Sequence, residues 1–210
     1  MILHGYWRSS AAYRVRIGLA LKGLDYLNAS YDLRKEGQNS SAYLSLNPQG
    51  LVPALEVDGQ IVTQSAAILE WLEETHPEPA LLPADAMDRA RVRGMSALIA
   101  SDIHPLNNLR VLKRLREDFG LDQAGVDAWA GRWIAAGFDA LEVLVARDGS
   151  GWCFGDAPTL ADCYLVPQLY SARRFNLDLT PWPGLLAVES RAEAHPAFVS
   201  AHPDRQPDAD

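Results

Sequence analysis

The chain has 210 residues, 48% of them hydrophobic and 22% charged, with a net charge of −8 at neutral pH. That length fits one large domain or two small ones, each able to bury a core. The negative balance argues against a general nucleic-acid or anionic-membrane surface. No apolar run approaches the roughly 20 residues of a membrane-spanning helix, and the opening MILHGYW lacks the basic start and long apolar stretch of a signal peptide. The two cysteines, Cys153 and Cys163, stand apart in apolar surroundings and read as reduced core thiols of a cytoplasmic protein. The histidines are scattered, with no clustered Cys/His spacing, so no metal site is expected.

ILHGYW reads as a strand and AAYRVRIGLALKGL as a helix, with Ala12, Val15 and Leu19 on one stripe and a stop at Gly23. YLNASYDL alternates as a second strand, completing a βαβ unit whose crossover is expected to be right-handed. After the polar KEGQNSSAYLSLNPQG, the run LVPALEVDGQIVTQ places two strands around Asp58-Gly59, a pair favoured in two-residue hairpins. SAAILEWLEETHP reads as a helix with Ser65 as its N-cap. The order β-α-β then β-β-α predicts a small thioredoxin-like sheet packed by helices over residues 1–83, closed by the Pro-rich linker PEPALLPADA. From 84 to 210 the signals are helical. A long helix is interrupted at Pro105, a second covers QAGVDAWAGRWIAAGFDALEVLVARD, a third covers TLADCYLVPQLYSARRF with Pro167 inside, and a fourth covers WPGLLAVESRAEAH. The tail AHPDRQPDAD is polar and expected to fray. The fold class is therefore an α/β thioredoxin-like N-terminal domain followed by an all-α C-terminal domain.

Several positions carry two readings. Ser9 and Ser10 precede a helix, where serine usually caps. A helix N-terminus also favours a thiolate, and because this stretch holds no thiol, the sulfur must arrive on a ligand. Val52-Pro53 is either a plain strand start or a cis peptide that leaves the Val52 N–H and C=O open to an extended peptide ligand. Gln64-Ser65 is either an ordinary helix start or a carboxylate site. Arg8, Arg110 and Arg174 are either solvated charges or bidentate carboxylate partners; Arg114 shares a face with Arg110, and Arg173 adjoins Arg174. Thr159 to Asp162 has the form of a capping box. His104, beside Pro105, reads as a structural residue or a cavity liner, with an acid/base role as the alternative. Trp71, Trp129, Trp133 and Phe138 read as core.

RSSAAYRVRIGLALKG resembles the signature of the zeta-class glutathione transferases, LNPQGLVPAL and TQSAAILEWLEE resemble their glutathione site, and IHPLNNLRVLK, GDAPTLADCYLVPQ, ARRFNLDLTPWP and HPDRQPD resemble their helical domain and tail. These segments follow the family's order along nearly the whole chain. The resemblance implies the glutathione transferase fold, a homodimer, and glutathione as cofactor. It implies that Ser9 stabilises the glutathione thiolate with Ser10 beside it, that Val52 pairs with the cysteinyl backbone, and that Gln64 and Ser65 hold the γ-glutamyl end. Asn107 and Asn108 match amides near glutathione. Arg174 matches an arginine that binds a substrate carboxylate, Arg8 and Arg110 resemble the dicarboxylate-binding arginines of the related maleylpyruvate isomerases, and His104 joins them as a substrate-side residue. Ala11 departs from the signature, which has Cys there; the nucleophilic sulfur belongs to glutathione. The activity implied is glutathione-dependent cis–trans isomerisation of a small dicarboxylate, 4-maleylacetoacetate to 4-fumarylacetoacetate. The alternatives are maleylpyruvate isomerisation, general transferase or α-haloacid dehalogenase activity, and a non-catalytic interaction module.

Overall fold

The computed structural model describes residues 1–210. Four short strands form one mixed sheet: β1 (Ile2–Gly5), β2 (Leu27–Ser30), β3 (Ala54–Val57) and β4 (Gln60–Thr63), in the spatial order β2-β1-β3-β4. β1 and β2 are parallel because a helix, α1 (Ser10–Leu21), carries the chain back between them. β3 runs antiparallel to both β1 and β4. The hairpin falls at Asp58-Gly59, whose φ values of 49° and 76° suit the tight turn that this pair favours.

Register decides where the loops meet. His4 pairs with Ala54, Ala54 with Thr63, and Gly5 with Ser30. The ends of β1, β2 and β4 and the start of β3 therefore share one end of the sheet.

α1 is not the one-striped helix expected: every residue from Ala12 to Leu19 is buried, Arg14 and Arg16 included. The cause is cover on two sides, from α3 (Ser65–Thr75) and from α9 (Pro196–Ala201). The buried guanidiniums find acceptors there. Arg14 Nη1 donates to Ser65 Oγ at 3.3 Å, and Arg16 donates at 2.9 Å to both the Ala201 and the Trp7 carbonyls. Gly18 permits the approach of α3, because a Cβ at that position would collide with the Leu69 side chain.

Contacts divide the chain into two compact units, Met1–Leu81 with Glu193–Asp210, and Leu82–Ala192. The sequence reading ran the helical part on to residue 210; instead the C-terminal segment returns to the first unit, where α9 covers α1. Nor is the tail frayed. Gln206 Nε2 donates to the Ser200 and His202 carbonyls at 3.0 and 2.9 Å, and Asp210 pairs with Arg34 at 2.6 Å. The polar stretch after β2 also carries structure that periodicity missed, namely short 3-10 turns and α2 (Ser41–Leu46). Ser40 Oγ caps α2 by accepting from the Tyr43 N–H at 3.3 Å.

The second unit is helical. α4 (Ala86–Ala97) passes through a π-helical turn, Leu98–Ile103, into a 3-10 turn, His104–Asn107, and then α5 (Leu109–Phe119), so the break at Pro105 occurs as expected. α6 (Gln123–Asp148), α7 (Leu160–Arg174) and α8 (Pro183–Glu193) follow. α7 is buried along most of its length, with Pro167 inside it. Phe138 is core, edge-on to Trp182 at 5.3 Å between centroids. Trp71 and Trp129 are only partly covered, and Trp133 is exposed. Trp133 precedes Ile134, which belongs to the buried stripe Val126, Ala130, Ile134, Phe138, Leu141 and Val145, so it falls beside that stripe rather than on it. Cys153 and Cys163 are buried free thiols.

Candidate active site

Only Tyr6, Trp7 and Arg8 separate the end of β1 from the cap of α1. Ser9 is that cap: its φ and ψ are −72° and 118°, and its Oγ accepts from the Ala12 N–H at 3.2 Å. Capping uses an oxygen lone pair and leaves the hydroxyl proton available to donate outward. Ser10 is the first helical residue and is buried. The two adjacent serines thus differ: Ser9 is the partly exposed group at the positive end of the α1 dipole, and Ser10 is buried. Arg8 follows Trp7, with its guanidinium 5.6 Å from the Trp7 ring centroid.

The second component precedes β3. The Val52-Pro53 peptide is cis, and the ladder begins at Ala54, so Val52 lies outside it. The Leu51 carbonyl is held by the Tyr43 hydroxyl at 2.7 Å and by Asn47 Nδ2 at 2.6 Å. Burial pushes the Tyr43 hydroxyl up to about 12, so it remains a donor at neutral pH.

The third component follows β4. Ser65 is not the N-cap of α3; Gln64 is, with φ and ψ of 71° and 120° and no side-chain capping bond. The positive φ turns the chain sharply from strand into helix and carries Ser65 into the first turn, where its buried hydroxyl accepts from Arg14. The α3 start therefore exposes helix N–H groups that no capping side chain satisfies, which is the arrangement that binds a carboxylate. Gln64 Nε2 donates to Gln49 Oε1 at 2.6 Å. Gln49 escaped the sequence reading, although it sits in the same NPQG stretch that leads to Val52. Arg14 escaped it too, because a charged residue on a helix reads as solvated until its cover is known.

These pieces meet at one end of the sheet: Arg8, Ser9 and Ser10 after β1, Val52 before β3, and Gln64 with Ser65 after β4. A hydroxyl at one helix start, an unladdered backbone segment and an uncapped second helix start suit an extended peptide bearing a thiolate and an α-carboxylate. Glutathione is such a peptide.

The remaining candidates belong to the second unit. His104 and Asn107 lie in the 3-10 turn; Asn107 is buried and its Nδ2 has no partner. Asn108 caps α5, its Oδ1 accepting from the Arg110 N–H at 3.1 Å. Arg110 is exposed in the first turn of α5, and Arg174 is exposed at the end of α7. Its neighbour Arg173 is committed to Glu189 through two contacts of 2.5 Å, and Arg114 pairs with Asp118 at 3.4 Å. Burial pushes the Cys153 thiol well up, which disfavours the nucleophilic thiolate there.

A family of glutathione S-transferase N-terminal domains matches residues 8–75, and one of glutathione S-transferase C-terminal domains matches residues 123–198. The maleylacetoacetate isomerase of Pseudomonas aeruginosa is 53% identical, over 99% of this chain and 98% of its own. A holo structure of a maleylpyruvate isomerase, a bacterial zeta-class glutathione S-transferase, is 52% identical with a TM-score of 0.98, covering 100% of both chains. A maleylacetoacetate isomerase from Anaeromyxobacter dehalogenans 2CP-1, solved with glutathione bound in its active site, is 51% identical with a TM-score of 0.90, covering 99% of this chain and 97% of that one.

Proposed function

The chain belongs to the glutathione S-transferase family, and from that premise we propose that it is a glutathione-dependent cis–trans isomerase of a maleyl-type dicarboxylate, converting 4-maleylacetoacetate to 4-fumarylacetoacetate. The observation that carries this reading is full-length similarity to isomerases of that type. The donor set at the sheet end supports the cofactor. Retention of Ser9, Val52-Pro53 and Gln64-Ser65 together speaks against a module without catalysis.

When bound, glutathione supplies a thiolate that adds to the cis double bond, leaves a single bond free to rotate, and departs as the trans bond re-forms. The protein's part is positional and electrostatic. The Ser9 hydroxyl donates a hydrogen bond to the sulfur, and the α1 N-terminus adds a fixed positive potential; both favour the thiolate over the thiol. Ser10 stands beside Ser9 as the first residue of α1. The Val52 N–H and C=O pair with the cysteinyl backbone, and the α3 start, with Gln64 and Ser65, receives the γ-glutamyl carboxylate. Asn107 and Asn108 supply amides to glutathione. Arg8, Arg110 and Arg174 hold the substrate carboxylates and bear the negative charge that grows as sulfur adds, with His104 on the substrate side. A dianion is disfavoured by a protein of net charge −8, so local arginines are what make the site attractive to it. The protein acts as a cytoplasmic homodimer in this reading.

Maleylpyruvate is the second substrate considered, because relatives carrying both names match the chain at nearly the same identity. A spectrophotometric assay of both substrates, with and without glutathione, tests the proposal. The expected result is turnover of maleylacetoacetate that depends on glutathione without consuming it. Stoichiometric loss of glutathione, or equal rates without it, overturns the isomerase reading. Preferential turnover of maleylpyruvate assigns the second substrate instead.

A further inference from the structure

The turn that carries Arg8 and Ser9 is held from the far end of the chain. The Trp7 N–H donates to Asp208 Oδ2 at 3.0 Å. The same Oδ2 accepts a short hydrogen bond from the Ser30 hydroxyl at the end of β2, and Oδ1 accepts from Asn28 Nδ2 at 3.3 Å. The other side of residue Trp7 is held as well. Its carbonyl accepts from Arg16 Nη2 at 2.9 Å, and Arg16 Nε reaches the Ala201 carbonyl at the end of α9. Trp7 is thus tied at its N–H by the Asp208 side-chain carboxylate and at its C=O by a buried arginine that is itself tied to α9. Arg8 is the next residue and Ser9 the one after.

This clamp exceeds what fastening a tail requires. The tail has its own ties, Gln206 to the Ser200 and His202 carbonyls and Asp210 to Arg34. Asp208 hydrogen-bonds the backbone of the segment between β1 and the α1 cap. It joins that segment to β2, whose last residue pairs with Gly5. A hydrogen bond from a backbone N–H to a carboxylate is charge-assisted, short and directional, so it fixes the orientation of the Trp7 peptide and restricts the rotation open to the residues that follow.

We propose that Asp208 is a positioning residue for the Ser9 hydroxyl: the Asp208 side-chain carboxylate sets the orientation of the β1–α1 turn, and through it the aim of Ser9 Oγ at the bound sulfur. The proposal rests on the glutathione reading above, and the experiment separates the two. The ultraviolet absorbance of the thiolate is followed against pH with glutathione bound to the full-length wild-type protein and to three variants, Asp208→Ala, Asp208→Asn and Asp210→Ala. Turnover at saturating glutathione, the KM for glutathione and the melting temperature are measured alongside.

In Asp208→Ala, the bound thiol is expected to titrate at higher pH. Because displacement of a reacting group by about 1 Å can cost up to about 100-fold, kcat is expected to fall roughly 10-fold or more, with KM for glutathione changed less than about 3-fold. Asp208→Asn keeps a side-chain oxygen to accept from the Trp7 N–H, and it is expected to restore most of the thiol titration and of kcat. Asp210→Ala removes a more exposed tail anchor, the partner of Arg34, and is expected to leave the thiol titration unmoved. A lower melting temperature in Asp208→Ala with the thiol titration and kcat unchanged overturns the proposal and leaves Asp208 a fastening. A shift in Asp208→Asn as large as in Asp208→Ala also overturns it, because charge rather than hydrogen-bond geometry is then responsible. If Asp208→Ala does not fold, Asp208→Asn decides against Asp210→Ala, and loss of its thiol titration overturns the proposal. Absence of a bound thiolate in the wild type defeats the glutathione reading itself.

Discussion

Two helix starts, one in each unit, are built from similar residues to opposite ends. α7 begins with Thr159 and Asp162. Asp162 Oδ2 accepts from the Thr159 N–H at 2.7 Å and from its hydroxyl at 2.8 Å, while Oδ1 accepts from the Cys153 N–H at 2.8 Å, all of it buried. Burial pushes the Asp162 carboxyl up, and these hydrogen bonds oppose that rise. α3 begins with Gln64 and Ser65, and no side chain caps it. The α7 start is buried and closed by a capping box; the α3 start has no side-chain cap and leaves helix N–H groups over. The α1 start is intermediate, since the Ser9 oxygen is used in the cap and its proton is not. The proposed glutathione site therefore falls where capping is incomplete.

The largest effect expected from that contrast is at α7. Asp162→Ala strands several buried donors at once and should cost about 3–5 kcal/mol of stability, read as a lower urea midpoint. Calorimetry on the folded fraction should find glutathione affinity unchanged; an affinity loss matching the stability loss would break the contrast.

At α1 the loss should be one of rate. Ser9→Ala is expected to reduce kcat about 100-fold, the usual order for removing a donor to a developing or resident anion, with only a modest change in glutathione affinity. The lost cap should cost about 1 kcal/mol of stability. Near wild-type turnover in Ser9→Ala, with a large loss in Ser10→Ala, reverses the roles of the two serines.

At α3 the effect should be on binding. Gln64→Ala or Ser65→Ala should weaken glutathione roughly 10-fold, as expected for a hydrogen bond to a charged group, and leave saturated turnover near normal. Calorimetry set beside steady-state kinetics checks this, and an effect on turnover alone removes both residues from the binding end.

The smallest effect belongs to an exposed cap. Asp32 caps a short 3-10 turn, Leu33–Lys35, and the hydrogen bonds from Arg34 hold its carboxyl down to about 2 from 3.8. A lowered folded-state pKa means that the stabilising contribution is complete above the unfolded value and disappears as pH falls through the folded one. The stability difference between wild type and Asp32→Asn should therefore begin to close below about 3.8 and vanish near 2. It should also shrink with salt, since the pair faces solvent. Carboxyl NMR titration gives the pKa directly, and a midpoint near the ordinary value removes the effect.

Much of this was legible locally. The strands, the Asp58-Gly59 turn, the break at Pro105 and the box at Thr159 and Asp162 each depend on residues close together in the chain, where period and turn chemistry speak for themselves. The order of elements was enough to predict a thioredoxin-like sheet, and the serine pair, Val52-Pro53 and Gln64-Ser65 could be picked out as candidates because helix starts and proline-led strands have recognisable residues. What the chain alone left open was which reading of each would win. Ser65 became a first-turn residue rather than a cap because Gln64 took a positive φ. Arg14 and Arg16 went into the interior because α3 and α9, far apart in the sequence, both close over α1. The polar tail became a clamp because Asp208 meets Trp7, Ser30 and Asn28, residues some 180 to 200 positions away. Local pattern encodes what a segment can form from its own neighbours; the partner that buries a charge, or completes the bonding of a polar group, is chosen only when distant segments are brought into contact.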